Sequence, residues 1–205
     1  FFRSMSENAK TSKSIQKKIK IKHAKDLTKD KSHPKITLLL HQMSQILRET
    51  SDIPVPAVFL SDDFKSSVKM SIDFHGISRP SYPSNYKIKL YAPLLFKSLR
   101  SKFNVSEDQF LNCFNKSLIQ SKRWNDIYKS HDKMFWVRYI ECDDISGFLS
   151  LISHYYNHIV IYNNTNFLPM YVGLCRIFYN GKYAYVIIMK NPIHTPVAEK
   201  VDKQT

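Results

Sequence analysis

The chain has 205 residues, 43% hydrophobic and 13% aromatic, enough for one domain with a substantial core. No apolar run approaches the roughly 18 residues of a membrane-spanning helix, and Cys113, Cys142 and Cys175 stand far apart with no CxxC pair. That spacing excludes a disulfide framework and a zinc-ribbon pattern, and reads as reduced core thiols in a cytoplasmic protein.

The formal charge is +14 and it is unevenly placed. Residues 1–35 hold eleven Lys and Arg against three acids, Glu7, Asp26 and Asp30, a local excess of +8. A basic arm implies an anionic partner: nucleic acid, an anionic membrane surface or an acidic protein. The plain alternative is a solvated tail. RNA-binding aromatic signatures, zinc-finger spacing and bZIP heptads are missing from the sequence, which makes nucleic acid the unfavoured partner. The opening Phe1-Phe2-Arg3-Ser4 has no apolar core of a signal peptide and no initiator Met, as expected of a fragment or a processed chain.

Taken in order, residues 1–14 are polar and aperiodic, which predicts disorder. Ile19 and Ile21 alternate with Lys20 and Lys22, the pattern of an edge strand whose lysines oppose aggregation. Pro34 opens a helical stripe of Ile36, Leu39, Leu40, Met43, Ile46 and Leu47, stopped before Asp52 by Pro54 and Pro56. Val58 to Leu60 reads as a short strand and Lys69 to Phe74 as another. Residues 76–85 read as loop. A helix is predicted from Ala92 and Pro93, with Leu94, Leu95, Leu99 and Phe103 as its stripe. Ser106-Glu107-Asp108 has the form of an N-cap with acids in the first turn, ahead of Phe110, Leu111 and Phe114.

Lys133 to Ile140 is β-rich. Asp143 or Asp144 caps a further predicted helix with Ile145, Phe148, Leu149 and Ile152 on one side. Strands at about 170–179 and 183–190 meet at Asn180-Gly181, a strong hairpin signal. No internal repeat is present. The sum is one α+β domain built on an antiparallel sheet with packed helices.

Several of these stretches together resemble the N-terminal lobe of the type II phosphatidylinositol phosphate kinases. The resemblance is carried by Ile53-Pro54-Val55-Pro56-Ala57-Val58-Phe59-Leu60-Ser61-Asp62-Asp63-Phe64-Lys65 and by Tyr86-Lys87-Ile88-Lys89-Leu90-Tyr91-Ala92-Pro93. It continues in Leu168-Pro169, Tyr171, Gly173-Leu174 and Arg176, and in Met189-Lys190-Asn191, running from about residue 17 to 193. It implies a basic arm (1–16), a kinase N-lobe-like domain (17–193) and a tail (194–205), with the family's C-lobe absent from these residues. It also implies that the last hairpin leads to an adenine-contacting hinge, so that Arg138, Met189, Lys190 and Asn191 stand at ATP-site positions. In the family the N-lobe dimerises through its first strand, which places a dimer strand at Lys17, Lys18, Ile19, Lys20, Ile21 and Lys22.

The residues themselves argue against phosphoryl transfer by this chain. A phosphate cradle needs glycine, because only glycine lets backbone N–H groups approach phosphate oxygens closely. The four glycines are Gly76, Gly147, Gly173 and Gly181, and the stretch from Leu118 to Lys133, where the cradle is expected, has none. Arg138 stands where the resemblance places the ATP lysine, and a planar guanidinium does not fit a packed ammonium site. Gly147 stands where the family has a glutamate. The plain reading of Arg138 is a strand residue pairing with Asp143 or Asp144. His131-Asp132 reads as a surface turn, and Tyr155-Tyr156 with His158 as a packed helix face.

The expectation is therefore a truncated or pseudokinase member of the family, with no catalytic residue, no metal ligand and neither ATP nor Mg²⁺ as a cofactor of this chain. It is expected to be cytoplasmic, peripheral to an anionic phosphoinositide membrane by charge, and homodimeric. The alternatives are a basic membrane-surface or dimerising interaction module, and the N-terminal piece of an active kinase whose C-lobe lies beyond residue 205.

Overall fold

The computed structural model describes residues 16–19, 43, 46–73, 85–113, 118–120, 127–140, 142–162, 167–179 and 182–193. The polar stretch 1–14, the start of the Pro34 helix, the 76–85 loop up to its last residue, the Asn180-Gly181 turn and the tail lie outside these residues. So do Lys20, Ile21 and Lys22 of the expected dimer strand.

Strand β1 is Gln16–Ile19, which takes Gln16 out of the arm and into the sheet. Helix α1 is seen at 46–51; Met43, Ile46 and Leu47 are buried, and the helix stops at Asp52 ahead of the two prolines. The strand expected at Val58 to Leu60 is replaced by an open loop leading into α2, Ser61–Lys65. Val58 and Leu60 are exposed, and the Leu60 N–H is taken by the Asp63 carboxylate at 2.7 Å, so no ladder partner is left for it.

β2 (Ser67–Asp73) pairs antiparallel with β3 (Asn85–Tyr91), a strand the reading of the sequence did not assign. Its signal was there, in Ile88 and Leu90 alternating with Lys87 and Lys89. Ala92 then takes a left-handed φ of 39° and turns the chain into α3, Pro93–Lys102, with Pro93 in its first turn. α4 (Glu107–Asn112) begins in a reciprocal cap: the Gln109 N–H donates to Ser106 Oγ at 3.1 Å and the Ser106 N–H to Gln109 Oε1 at 3.0 Å.

β4 (Ile119–Gln120) and β5 (Ile127–Lys129) form an antiparallel pair in the stretch expected to hold the phosphate cradle. β6 (Phe135–Ile140), α5 (Cys142–Tyr162), β7 (Tyr171–Tyr179) and β8 (Lys182–Lys190) follow as predicted. The eight strands form one sheet in the order β1-β2-β3-β7-β8-β6-β5-β4. Every pairing is antiparallel except β1 on β2, which is parallel and leaves β1 at an edge.

Directly opposed residues of neighbouring strands point to the same face, so the register sorts the sheet into two sides. One row runs Val137, Ile188, Gly173 and another Val68, Leu90, Cys175, Val186, Tyr139. This side faces α4. A Cβ on Gly173 would meet Ile188 at 3.3 Å and Phe110 at 3.4 Å, so glycine is what lets α4 settle onto the sheet. Phe110 meets Phe135 edge-on, with ring centroids 5.4 Å apart. The other side carries Arg138, Ile187 and Leu174 in one row and Trp136, Met189 and Tyr171 in the next. There α5 closes over Tyr171 through Phe148 and Tyr155, with centroids 5.0 and 5.2 Å away. The central strands are thus covered on both sides, which is why Val186, Ile187 and Ile188 are buried in succession.

Cys113 and Cys175 are buried free thiols, and burial pushes both thiol pKa values up, so neither is a reactive thiolate. Among the described residues no helix is long and apolar enough to cross a membrane.

Candidate functional site

The four residues at ATP-site positions are split by the strand register. Arg138 is held at the middle of β6 by Phe135 and Val137, whose burial on one side turns Arg138 to the other. It is exposed there, opposite Ile127 on β5 and Ile187 on β8. Met189 is half-buried on the same side, one row along. Burial raises the Tyr171 phenol pKa, and the positive charge of Arg138 partly offsets that rise, so these two side chains sense each other.

Lys190 points the opposite way. It lies opposite Phe135, and its Nζ donates to the Phe103 carbonyl at 2.7 Å, at the end of α3. A cation at a helix C-terminus is favoured by the dipole, so this lysine is committed to packing α3 on the sheet. Asn191 is buried and hydrogen-bonded through both ends of its amide: its Nδ2 donates to the Lys133 carbonyl at 2.8 Å, and its Oδ1 accepts from the Ile193 N–H at 3.0 Å. Its own N–H donates to the Met134 carbonyl at 2.7 Å. The side chain fastens the end of β8 to the turn before β6.

That turn contains His131 and Asp132, both exposed. The Asp132 carboxylate accepts from the Met134 N–H at 3.0 Å and from the Ser130 hydroxyl, which in turn accepts from the Phe135 N–H at 2.9 Å. Asp132 therefore shapes a surface turn, as expected. Tyr155 donates to the Pro169 carbonyl at 2.7 Å and accepts from the Tyr171 N–H at 3.1 Å, tying α5 to the start of β7. Tyr156 packs against Phe59 and Phe64, so the packed-face reading holds for Tyr155 and Tyr156, whereas His158 is exposed and touches Tyr162 one turn along the same helix. The side chains of Asp143 and Asp144, the partners considered for Arg138, lie outside the described residues.

Gly147 is exposed near the start of α5, and a Cβ there would meet nothing within 4 Å. Gly147→Ala should therefore raise stability by about 0.5–1 kcal/mol through helix propensity alone, read as a higher urea midpoint with unchanged slope. A loss of stability would show that the position holds a constraint beyond open space.

Beside Tyr171, a groove of about 440 Å³ runs between α5 and the segment entering β7, lined by Phe148, Leu151, His154, Tyr155, Leu168 and Tyr171. It contains no carboxylate. Among the described residues no three His, Cys, Asp or Glu side chains are grouped as metal ligands. The Tyr171–Met189–Trp136 row beside Arg138 was not found from sequence, because it depends on a register that a bulge between Tyr171 and Gly173 shifts by one residue.

A family model described as phosphatidylinositol-4-phosphate 5-kinase matches residues 111–203. Among relatives, phosphatidylinositol 5-phosphate 4-kinase type-2 gamma of Xenopus tropicalis is 28% identical over 180 residues, 86% of this chain and 41% of its own length. The human type-2 gamma protein is 28% identical over 192 residues, 92% of this chain and 44% of its own. The human type-2 alpha protein is 26% identical over 182 residues, 86% and 43% respectively. The chain is thus similar to the phosphatidylinositol phosphate kinases, and its fold is consistent with an N-terminal lobe of that kind. The chain spans a little over two fifths of the length of the relatives it matches.

Proposed function

We propose that this chain is a degenerate member of the phosphatidylinositol phosphate kinase family, a pseudokinase N-lobe that does not transfer phosphate by itself and works at an anionic membrane surface. The observation that carries this reading is the disposition of the four ATP-site positions. Only Arg138 and Met189 share a face; Lys190 is held by the Phe103 carbonyl and Asn191 by the turn before β6. With no glycine between Leu118 and Lys133, a nucleotide meets one exposed guanidinium and neither a backbone cradle nor a grouped set of carboxylates among the described residues. These residues do not fit ATP·Mg²⁺. The reaction in the relatives' names is the family's chemistry.

Membrane association is supported by charge. Each Lys or Arg close to an anionic leaflet contributes about 1 kcal/mol, so a few residues of a +8 arm suffice for weak attachment. Sedimentation with phosphoinositide-containing vesicles should show binding at low salt, little binding to neutral vesicles, and release as the Debye length falls from about 10 Å at 0.1 M to about 3 Å at 1 M. Replacing the Lys and Arg of residues 1–15 and 20–35 by Gln, which keeps β1 in the sheet, should weaken attachment strongly. Unchanged attachment in that variant makes the arm a solvated tail.

A homodimer is a second reading, favoured by the position of β1. The strand lies at the sheet edge, with one side paired to β2 and a run of Lys17 and Lys18 before Ile19. An open edge is a natural pairing site. Light scattering with size exclusion should show a dimer at tens of micromolar, lost on Ile19→Pro, which removes a ladder N–H. A strictly monomeric parent chain contradicts this reading.

A further inference from the structure

His154 and His158 stand four residues apart in the second half of α5, a helix of 21 residues. Four helical residues rise about 6 Å and turn the chain a little more than once, which puts the two Cβ atoms about 5–6 Å apart on one face. Both imidazoles border the groove beside Tyr171, and both are exposed. Among the described residues His154 makes no hydrogen bond, ion pair or ring contact. His158 makes only its contact with Tyr162, with ring centroids 4.9 Å apart.

The helix beneath the pair is fixed. Ile152 and Ile159 are buried, and the Tyr155 hydroxyl, bonded to the Pro169 carbonyl and the Tyr171 N–H, ties this turn to the start of β7. The backbone under both imidazoles is therefore in place before a ligand arrives, and binding has only two short side chains to order. The local charge is also permissive. From Ile145 to Tyr162 the helix has no Asp, Glu, Lys or Arg, and the groove is lined by neither an ammonium nor a guanidinium. The +14 carried elsewhere is screened over about 8 Å at physiological ionic strength.

We propose that His154 and His158 form a two-histidine chelate for a divalent transition ion of the Zn²⁺ type. A neutral imidazole offers a nitrogen lone pair suited to Zn²⁺, Ni²⁺ and Cu²⁺, whereas Mg²⁺ and Ca²⁺ take oxygen donors, so the pair selects the first group. Two histidines at i and i+4 on one helical face are the half-site from which helical zinc motifs are built. No third His, Cys, Asp or Glu joins them among the described residues. Water then completes the coordination shell, which makes the ion weakly held and leaves positions open to a donor from another molecule. The site does not depend on the pseudokinase or membrane readings above, since it shares no residue with either.

Calorimetric titration of the full chain with ZnCl₂ at neutral pH, in a buffer that does not bind the metal, tests the site. The expected result is saturable binding, with no response to MgCl₂. His154→Ala and His158→Ala should each weaken it by roughly tenfold or more, because a lone imidazole loses the chelate. His131→Ala, which removes an exposed imidazole outside the pair, should weaken it by less than about threefold. Both imidazoles are exposed, so the two variants should melt with the parent when no metal is present, which separates a lost site from a lost fold. Zn²⁺ should then raise the melting temperature of the parent and not of the variants, since the folded helix is what holds the pair together. The spacing is tested by moving the pair one turn back. Ser150→His added to His158→Ala recreates an i, i+4 pair with His154 and should restore saturable binding. No saturable binding by the parent, smaller weakening in either single variant, equal weakening by His131→Ala, or a transplanted pair that does not bind overturns the proposal.

Discussion

Glu107→Ala should cost about 3–5 kcal/mol of folding stability, the largest effect of any surface-accessible substitution in the lobe. Arg100 is buried at the core of α3, with its side chain 3% exposed, and Glu107 at the start of α4 is 25% exposed. The pair is bidentate: Arg100 Nε donates to Glu107 Oε1 at 2.7 Å and Nη2 to Oε2 at 2.9 Å. The remaining Nη1 donates to the Val172 carbonyl at 2.9 Å, at the bulge of β7, and the guanidinium lies 4.4 Å over the Phe110 ring. One charge therefore joins α3, α4 and the sheet. Burial lowers the Arg100 pKa and Glu107 opposes that shift, yet the guanidinium stays charged at any accessible pH.

Removing Glu107 strands this charge in the core. Glu107→Gln keeps one acceptor oxygen and should lose less, roughly 1.5–3 kcal/mol, as for a hydrogen bond to a charged group. Arg100→Leu should cost less than Glu107→Ala, because the partly exposed Glu107 can turn to water while leucine fills the core. Urea unfolding of the three variants gives the order. If Glu107→Ala is the mildest of the three, the pair is not what holds α3 and α4 to the sheet.

Much of this lobe could be read from local chemistry, and the failures have local reasons. Pro93 and Ser106 announce their helices because a proline at a first turn and a hydroxyl before two acids act within one turn of chain. The β7–β8 hairpin is legible because both strands run nine residues about an Asn-Gly pair. β4 and β5, of two and three residues, are too short to show a period. Val58 to Leu60 is apolar enough to suggest a strand, but Pro54 and Pro56 just ahead of it lack donors and Asp63 captures the Leu60 N–H.

The candidate site was legible as a set of positions and not as an arrangement. Arg138, Met189, Lys190 and Asn191 could be marked along the chain, but neighbouring residues of a strand point to opposite faces. Which of them meet depends on register across β5, β6 and β8, and that is a tertiary property. Arg100 and Glu107 show the same limit. They are seven residues apart on different helices, and only the packed corner between α3 and α4 makes them partners.

The central claim, that the nucleotide site of this lobe is degenerate, meets its most direct test in calorimetric titration of the chain with millimolar ATP·Mg²⁺. The account predicts no saturable isotherm for the parent, and none for Arg138→Lys, since restoring the ammonium supplies neither a glycine cradle nor a freed Lys190. Saturable binding with Kd below roughly 100 μM, about −5.5 kcal/mol, in the parent chain would contradict it.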